Sequence, residues 1–364
     1  MHLRSKLALC SISGFLWLGS AVLNAQTKPA AVPAPLPLTI DRDPAPSPDP
    51  DAPLPTQANG PVAAASSGAV AKGADGRYTL TSDAYEVRLN VTVVDNNARS
   101  VQTLAQNAFH VYEDGTPQAI SSFRHEDLPV SIGLLIDSSG SMYDKRSAVD
   151  KASVDLIRLS NPKDEEFLVD FSSEAFIDQT FTTSLDKLQQ GLGYIKSSGG
   201  TALYDAVVAS ADELSKNASN SKQVLVVITD GEDNASSTTL EQAIRRVQDL
   251  DGPTIYCIGL LFGEDTDRRE SKHARRVLEE IAQQTGGVAY FPKSLRDVDG
   301  IAGEVAADIR TQYSIAYRST NPPANGGYRQ VHIEVKEKGF NKLEARTRSG
   351  YYPKSPTGQP APKK

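Results

Sequence analysis

The sequence predicts an α/β fold, a doubly wound and mostly parallel sheet with helices on both faces. Three observations carry this. After Pro129, continuous apolar runs recur at 132–136, 167–171, 224–228 and 254–258. Strands buried on both faces read as such unbroken runs. Between the runs lie stretches whose apolar residues keep helical spacing. Two of the runs end in an aspartate-bearing loop, at Asp137 and Asp230. Doubly wound sheets bind ligands outside the carboxyl ends of their strands, where the strand order reverses.

Taken in order, the elements begin with an export signal. Arg4 and Lys6 precede an apolar stretch from Leu7 through Trp17 to Leu23, and Ala25 offers a small residue for cleavage. This three-part pattern predicts a signal peptide over 1–25, with an apolar run too short for a comfortable membrane span. The alternative is an uncleaved N-terminal anchor. Cys10 has too little apolar sequence before it to read as a lipoprotein site. The expected location is outside the cytoplasm, whether periplasmic, secreted or on the cell surface, with no membrane insertion after cleavage. Without residues 1–25, Cys257 is the only cysteine, so an ordinary core and no disulfide must hold the fold. Cys257 lies in an apolar run and reads as a small buried hydrophobe. The formal charge of −7 becomes −9 once Arg4 and Lys6 are gone. An acidic chain with no basic block is a poor nucleic-acid binder.

Residues 26–76 are rich in Pro, Ala, Asp, Gly and Ser and read as an extended, mobile tether. Residues 77–127 are β-rich. Val87, Leu89, Val91 and Val93 alternate on one face of a half-exposed strand. Residues 109–112 and 118–123 read as two strands joined by the Asp114-Gly115 turn. The α/β domain spans 128–311. Its helices follow from Val149, Ala152, Leu156 and Leu159; from Leu203, Val207, Ser210 and Leu214; from Leu240, Ile244 and Val247; and from Ala274, Val277, Leu278 and Ile281. A short antiparallel edge strand is expected over 176–181. Alternation returns over 312–352, and 353–364 reads as a disordered tail. The two β-rich segments hold too few strands each to be stable alone. They are expected to pair into a small β-sandwich into which the α/β domain is inserted.

The chemistry gathers in three loops. Asp137 is followed by Ser139 and Ser141 at alternate positions, with Gly140 between them. Gly199 and Gly200 lead to Thr201 before a helix, and Thr229, Asp230 and Gly231 follow another strand. Hydroxyls and carboxylates are hard oxygen ligands that suit Mg2+, Mn2+ or Ca2+ rather than zinc or copper. The glycines read as allowing tight turns and close backbone approach. The helix start behind Thr201 reads as favouring a nearby anion.

These residues resemble the von Willebrand factor A (VWA) domain and its metal-ion-dependent adhesion site (MIDAS). The pattern Asp-x-Ser-x-Ser stands at Asp137, Ser139 and Ser141, the family's Thr at Thr201 and its second Asp at Asp230. The flanks at 111–115, 127–129 and 350–353 resemble bacterial, chiefly acidobacterial, envelope proteins called VWFA-related. The resemblance implies a six-stranded, Rossmann-like sheet. It implies that the serines bind the metal directly, the threonine directly or through water, and the aspartates directly or through water. An Asp or Glu of a partner protein would then take the open position, with Mg2+ the expected ion.

Against this stand blander readings. The five residues would serve only as turns and caps, or the metal would only stabilise loops in a structural envelope module. Another class is an accessory subunit of a hydrolase whose metal polarises a substrate. That needs a general base and a pocket beside Thr201, and the sequence names neither. No Gly-x-Ser-x-Gly elbow or phosphate loop is present, and His110, His125, His273 and His332 share no metal-like spacing. A non-enzymatic role follows. Glu232, Asp233 and Asn234 read either as a solvated loop or as an extension of the site, and 264–270 either as a solvated loop or as a border of the binding face. Asp205 reads either as a neighbour of the site or as an exposed or capping residue.

Overall fold

The computed structural model describes residues 70–72, 78–80, 86–97, 99–125, 127–262 and 268–353. The expected signal peptide, the tether up to residue 69 and the tail from 354 lie outside these residues. So does 263–267, within the 264–270 loop. Backbone pairing begins inside the stretch read as tether, where β1 (Val70–Lys72) runs antiparallel to β2 (Tyr78–Leu80). Val70, Ala71, Tyr78 and Thr79 interrupt the Pro-rich composition there.

The α/β domain holds the site. Its strands are β7 (Val130–Asp137), β8 (Glu165–Phe171), β9 (Ala175–Thr182), β10 (Lys222–Thr229), β11 (Thr254–Gly259) and β12 (Ala289–Tyr290). They form one six-stranded sheet in the order β12-β11-β10-β7-β8-β9. Only β9 runs antiparallel, on the edge. Strand β7 is flanked by β8 and β10, so the order reverses at β7 and Asp137 ends beside the carboxyl end of β10.

Six helices cover the sheet: α1 (Arg146–Leu159), α2 (Leu185–Tyr194), α3 (Leu203–Asn217), α4 (Leu240–Asp249), α5 (Arg268–Thr285) and α6 (Val298–Arg310). Alternate strand residues divide between two cores. Ile132, Leu134, Ile136, Val224, Val226 and Ile258 pack with α1, α2 and α6. Leu135, Phe167, Val169, Leu225, Val227 and Ile255 pack with α3, α4 and α5. Each such side chain contributes roughly 1.5–3 kcal/mol on full burial. Gly133 sits where a Cβ would come 2.5 Å from both Leu225 and Phe167, so the central strand admits no side chain there. Helix α2 was not foreseen. Gly191 and Gly193 weaken its signal, and Ser184 caps it by accepting the Lys187 N–H at 3.4 Å.

The remaining strands are β3 (Glu86–Asp95), β4 (Phe109–Glu113), β5 (Thr116–Gln118), β6 (Ile120–Arg124), β13 (Tyr313–Arg318), β14 (Arg329–Val335), β15 (Leu343–Arg346) and β16 (Gly350–Tyr351). They form two four-stranded sheets, β15-β3-β13-β6 and β16-β14-β4-β5. One core joins them, with Val87, Leu89 and Tyr313 from the first and Val111, Ile333 and Tyr351 from the second. The stretch read as a single strand over 118–123 divides at Ala119, giving β5 to one sheet and β6 to the other. Strand β3 is less exposed than alternation implies, because Thr92 and Val94 are buried as well. The Thr92 hydroxyl bonds Asp308 of α6 at 3.4 Å, which ties the sandwich to the α/β layer. In the sandwich, the buried carboxylate of Glu113 accepts from Tyr317 and Tyr351 at 2.7 and 2.8 Å and pairs with buried Arg329 at 3.4 Å.

Candidate metal centre

Strand β7 is buried along its whole length and delivers Asp137, itself fully buried, to the mouth of the sheet. Both oxygens of Asp137 are already engaged. One accepts the Ser139 N–H at 2.8 Å and the other the Thr229 hydroxyl at 2.6 Å. Burial pushes this carboxyl up from 3.8 to about 6. The donors from Ser139 and Thr229 pull it down, and the nearby charge of Asp230 raises it further.

Beyond Asp137 the chain turns outward. Ser138 N–H bonds Phe171 O at 2.7 Å, its hydroxyl bonds Asp170 at 2.8 Å, and its carbonyl accepts the Ser198 N–H at 2.7 Å. This fastens the loop to the end of β8 and to the loop that carries Thr201. The next turn, Gly140–Lys145, is a short 3-10 helix. The Ser139 and Ser141 hydroxyl oxygens lie 3.1 Å apart. Ser139 is buried and Ser141 exposed. Ser141 donates to Asp230 Oδ1 at 2.8 Å, and the Lys145 ammonium pairs with Asp230 Oδ2.

Thr201 is held by its backbone. Its N–H bonds Asn234 Oδ1 at 2.8 Å, and its carbonyl accepts from Asn234 and Ala235 at 3.0 and 3.2 Å. Its hydroxyl has no hydrogen bond among the described residues, and a Cβ on Gly231 would stand 3.7 Å from it. The hydroxyl therefore faces the Asp230 loop. The structure thus gathers the Asp137, Ser139, Ser141, Thr201 and Asp230 loops at one mouth.

Several neighbours differ from their sequence reading. Gly199 has φ +80, a conformation that favours glycine, and a Cβ on Gly200 would meet Asn234 Oδ1 at 2.7 Å and displace it. Gly140 has open space and Gly231 only ordinary contact, so neither is required on steric grounds. Asp233 and Asn234 are not a free solvated loop. Asp233 accepts the Tyr204 N–H at 3.1 Å and Ser236 accepts that of Asp205 at 3.1 Å, so the start of α3 is capped by protein groups rather than left for an anion. The Asp205 carboxylate holds the 237–238 backbone at 2.8 and 3.1 Å and lies outside the site. Two residues were missed. Asp170, under Ser138, was read only as part of an apolar run. Lys145 stands four residues beyond Ser141, and that spacing was the available signal.

Among the described residues, no group of three or more His, Cys, Asp or Glu is placed to hold a metal, so a site of that donor class is absent there. Hydroxyls dominate the mouth instead. Ser141 donates to a carboxylate rather than to an imidazole. Cavities of about 560 and 620 Å3 lie elsewhere, and none of the five residues lines either. Cys257 is buried, which pushes its thiol up to about 12 and leaves it unreactive.

The strand order, with aspartate loops at its reversal, defines a doubly wound domain, a class in which ligands bind outside the carboxyl ends of the strands. Residues 131–304 match the family model of the von Willebrand factor type A domain, and this part of the chain belongs to that family. No curated protein matches the chain. Among solved structures, a von Willebrand factor type A protein from Catenulispora acidiphila is 16% identical, with 75% of this chain and 74% of that one covered and a TM-score of 0.43. An aerotolerance-related membrane protein from Bacteroides fragilis is 17% identical over 50% of this chain and 98% of its own, at 0.41. Proximal thread matrix protein 1 from the mussel byssus, with a zinc-occupied MIDAS motif, is 15% identical at 0.43. The match covers 54% of this chain and 50% of the mussel protein. Among the described residues, no helix is long and apolar enough to cross a membrane.

Proposed function

We propose that the chain is an exported protein-binding module, used in adhesion or scaffolding. In this reading Asp137, Ser139, Ser141, Thr201 and Asp230 hold a divalent cation that an Asp or Glu of a partner protein completes. The observation that carries the reading is a division of labour among oxygens. Both carboxylates have their oxygens engaged by protein donors, while three hydroxyls, those of Ser139, Ser141 and Thr201, gather at the same mouth, the last without a hydrogen bond among the described residues. The donors are hydroxyl and carboxylate oxygens, hard ligands, so Mg2+ is the first choice, with Mn2+ or Ca2+ as alternatives.

When bound, the ion supplies an electrophilic position for a carboxylate. The chain's own groups do the rest. Asp137 orients Ser139 through its N–H, and Asp230 orients Ser141 through its hydroxyl. Thr229 keeps Asp137 in place from the neighbouring strand. With carboxylates acting through hydroxyls or water, the ion keeps charge to attract an acidic side chain. An acidic chain gains most from this, since its charge of −7 would otherwise repel such a partner.

The test is capture of a partner from an envelope extract by wild type and Asp137→Ala, each with Mg2+ and with EDTA. A partner retained only by wild type in Mg2+ is expected. Equal capture in all four samples would show that no metal takes part in recognition.

A further inference from the structure

The Asp230 carboxylate is wholly buried at its side chain, yet the cation it pairs with belongs to the protein. Lys145 closes the same short 3-10 turn that carries Ser141. Its ammonium contacts one oxygen of Asp230 while Ser141 holds the other. Asp137 has only neutral donors, Ser139 N–H and the Thr229 hydroxyl. Nearby Asp170 is buried too, with one oxygen bonded to Ser138 and the other without a partner. The mouth therefore concentrates buried acid, and Lys145 is the cation set against it. Its side chain is 19% exposed, so the flexible stem has a route to water.

We propose that Lys145 is the internal counter-cation of this site. It holds Asp230 and, through it, Ser141 in place when no metal is bound. It gives Asp230 up when a divalent cation enters, and so sets the concentration at which the site fills. The inference rests on the metal reading above and adds to it a residue outside the five ligands. Two physical consequences follow. The metal-free loops stay assembled, because a buried carboxylate without a partner would be costly. Metal affinity is lower than the ligands alone would provide, because an ammonium and a dication compete for one carboxylate.

The experiment is calorimetric titration of the full chain with Mg2+ and with Mn2+, for wild type, Lys145→Met and Asp137→Ala, alongside melting curves in EDTA and in metal. Lys145→Met is expected to bind metal about tenfold more tightly than wild type. It should melt lower than wild type in EDTA and gain more on adding metal. A merely structural lysine would lower both melting points and leave affinity unchanged or weakened, and that result overturns the proposal. If Lys145→Met does not fold, Lys145→Gln keeps a hydrogen-bond donor to Asp230 without the charge, and its affinity should rise in the same sense. If wild type and the Lys145 variants all fail to take up either ion, the metal reading falls and the proposal with it. If they bind equally while Asp137→Ala does not, the metal reading stands and only the role of Lys145 is refuted.

Discussion

Asp137→Asn should make the metal-free protein more stable while abolishing its response to metal. The Asp137 carboxyl holds its proton more tightly in the folded chain, at about 6, than in the unfolded one, at 3.8. The folded state therefore binds the extra proton between these values. Stability from this group falls as pH rises through that window, and the penalty is complete above about 6. At 1.36 kcal/mol per pH unit the rise amounts to about 3 kcal/mol. Asparagine keeps the shape and one acceptor for the Ser139 N–H, and its amide can donate to a rotated Thr229 hydroxyl. Some of the gain is lost in that exchange. The expected net is about 1–3 kcal/mol at pH 7.5, or a Tm raised by about 2–12 °C for a domain of this size. The assay is thermal unfolding of both proteins in EDTA from pH 4 to 8. The difference between them isolates Asp137 from other buried groups such as Glu166, which burial pushes to about 8, its neighbours Asp164 and Glu165 pushing the same way. The variant's advantage should be absent near pH 4 and full by pH 7. An advantage independent of pH, or an Asn variant that melts below wild type at pH 7.5, would show that the carboxylate is not held against its own burial.

Three further predictions concern separate parts of the molecule. Tyr143 is 75% exposed on the turn that carries Ser141, and Tyr143→Ala should weaken partner binding about tenfold while leaving Mg2+ affinity unchanged in calorimetry. Gly133→Ala places a methyl 2.5 Å from Leu225 and Phe167, and urea unfolding should show a loss of about 1–3 kcal/mol from overpacking. Glu113→Gln leaves buried Arg329 without its counter-charge and should cost about 3–5 kcal/mol in the same assay, whereas Tyr317→Phe, which removes one hydroxyl donor, should cost about 1 kcal/mol.

The sequence by itself determined the layers of this protein, because burial writes a local pattern. A strand covered on both faces must be apolar at every position, as at 224–228, and a surface helix must be apolar every third or fourth residue, as at Ala274, Val277, Leu278 and Ile281. It also named the five residues at the mouth, since their types and order are a chemical pattern that survives without coordinates. Elements with weak local signals escaped it. Helix α2 carries two glycines, and the division of 116–124 between two sheets depends on the distant strand β13, which takes β6 while β5 pairs with nearby β4. Tertiary structure alone decided what each polar group does. Asp233, Asn234 and Asp205 look like solvent-facing residues in the chain, yet they clamp α3 and its neighbouring loop, because their donors come from other segments. The pairing of Lys145 with Asp230 spans 85 positions. It exists because β7 and β10 lie side by side, and no periodicity in the chain records that adjacency.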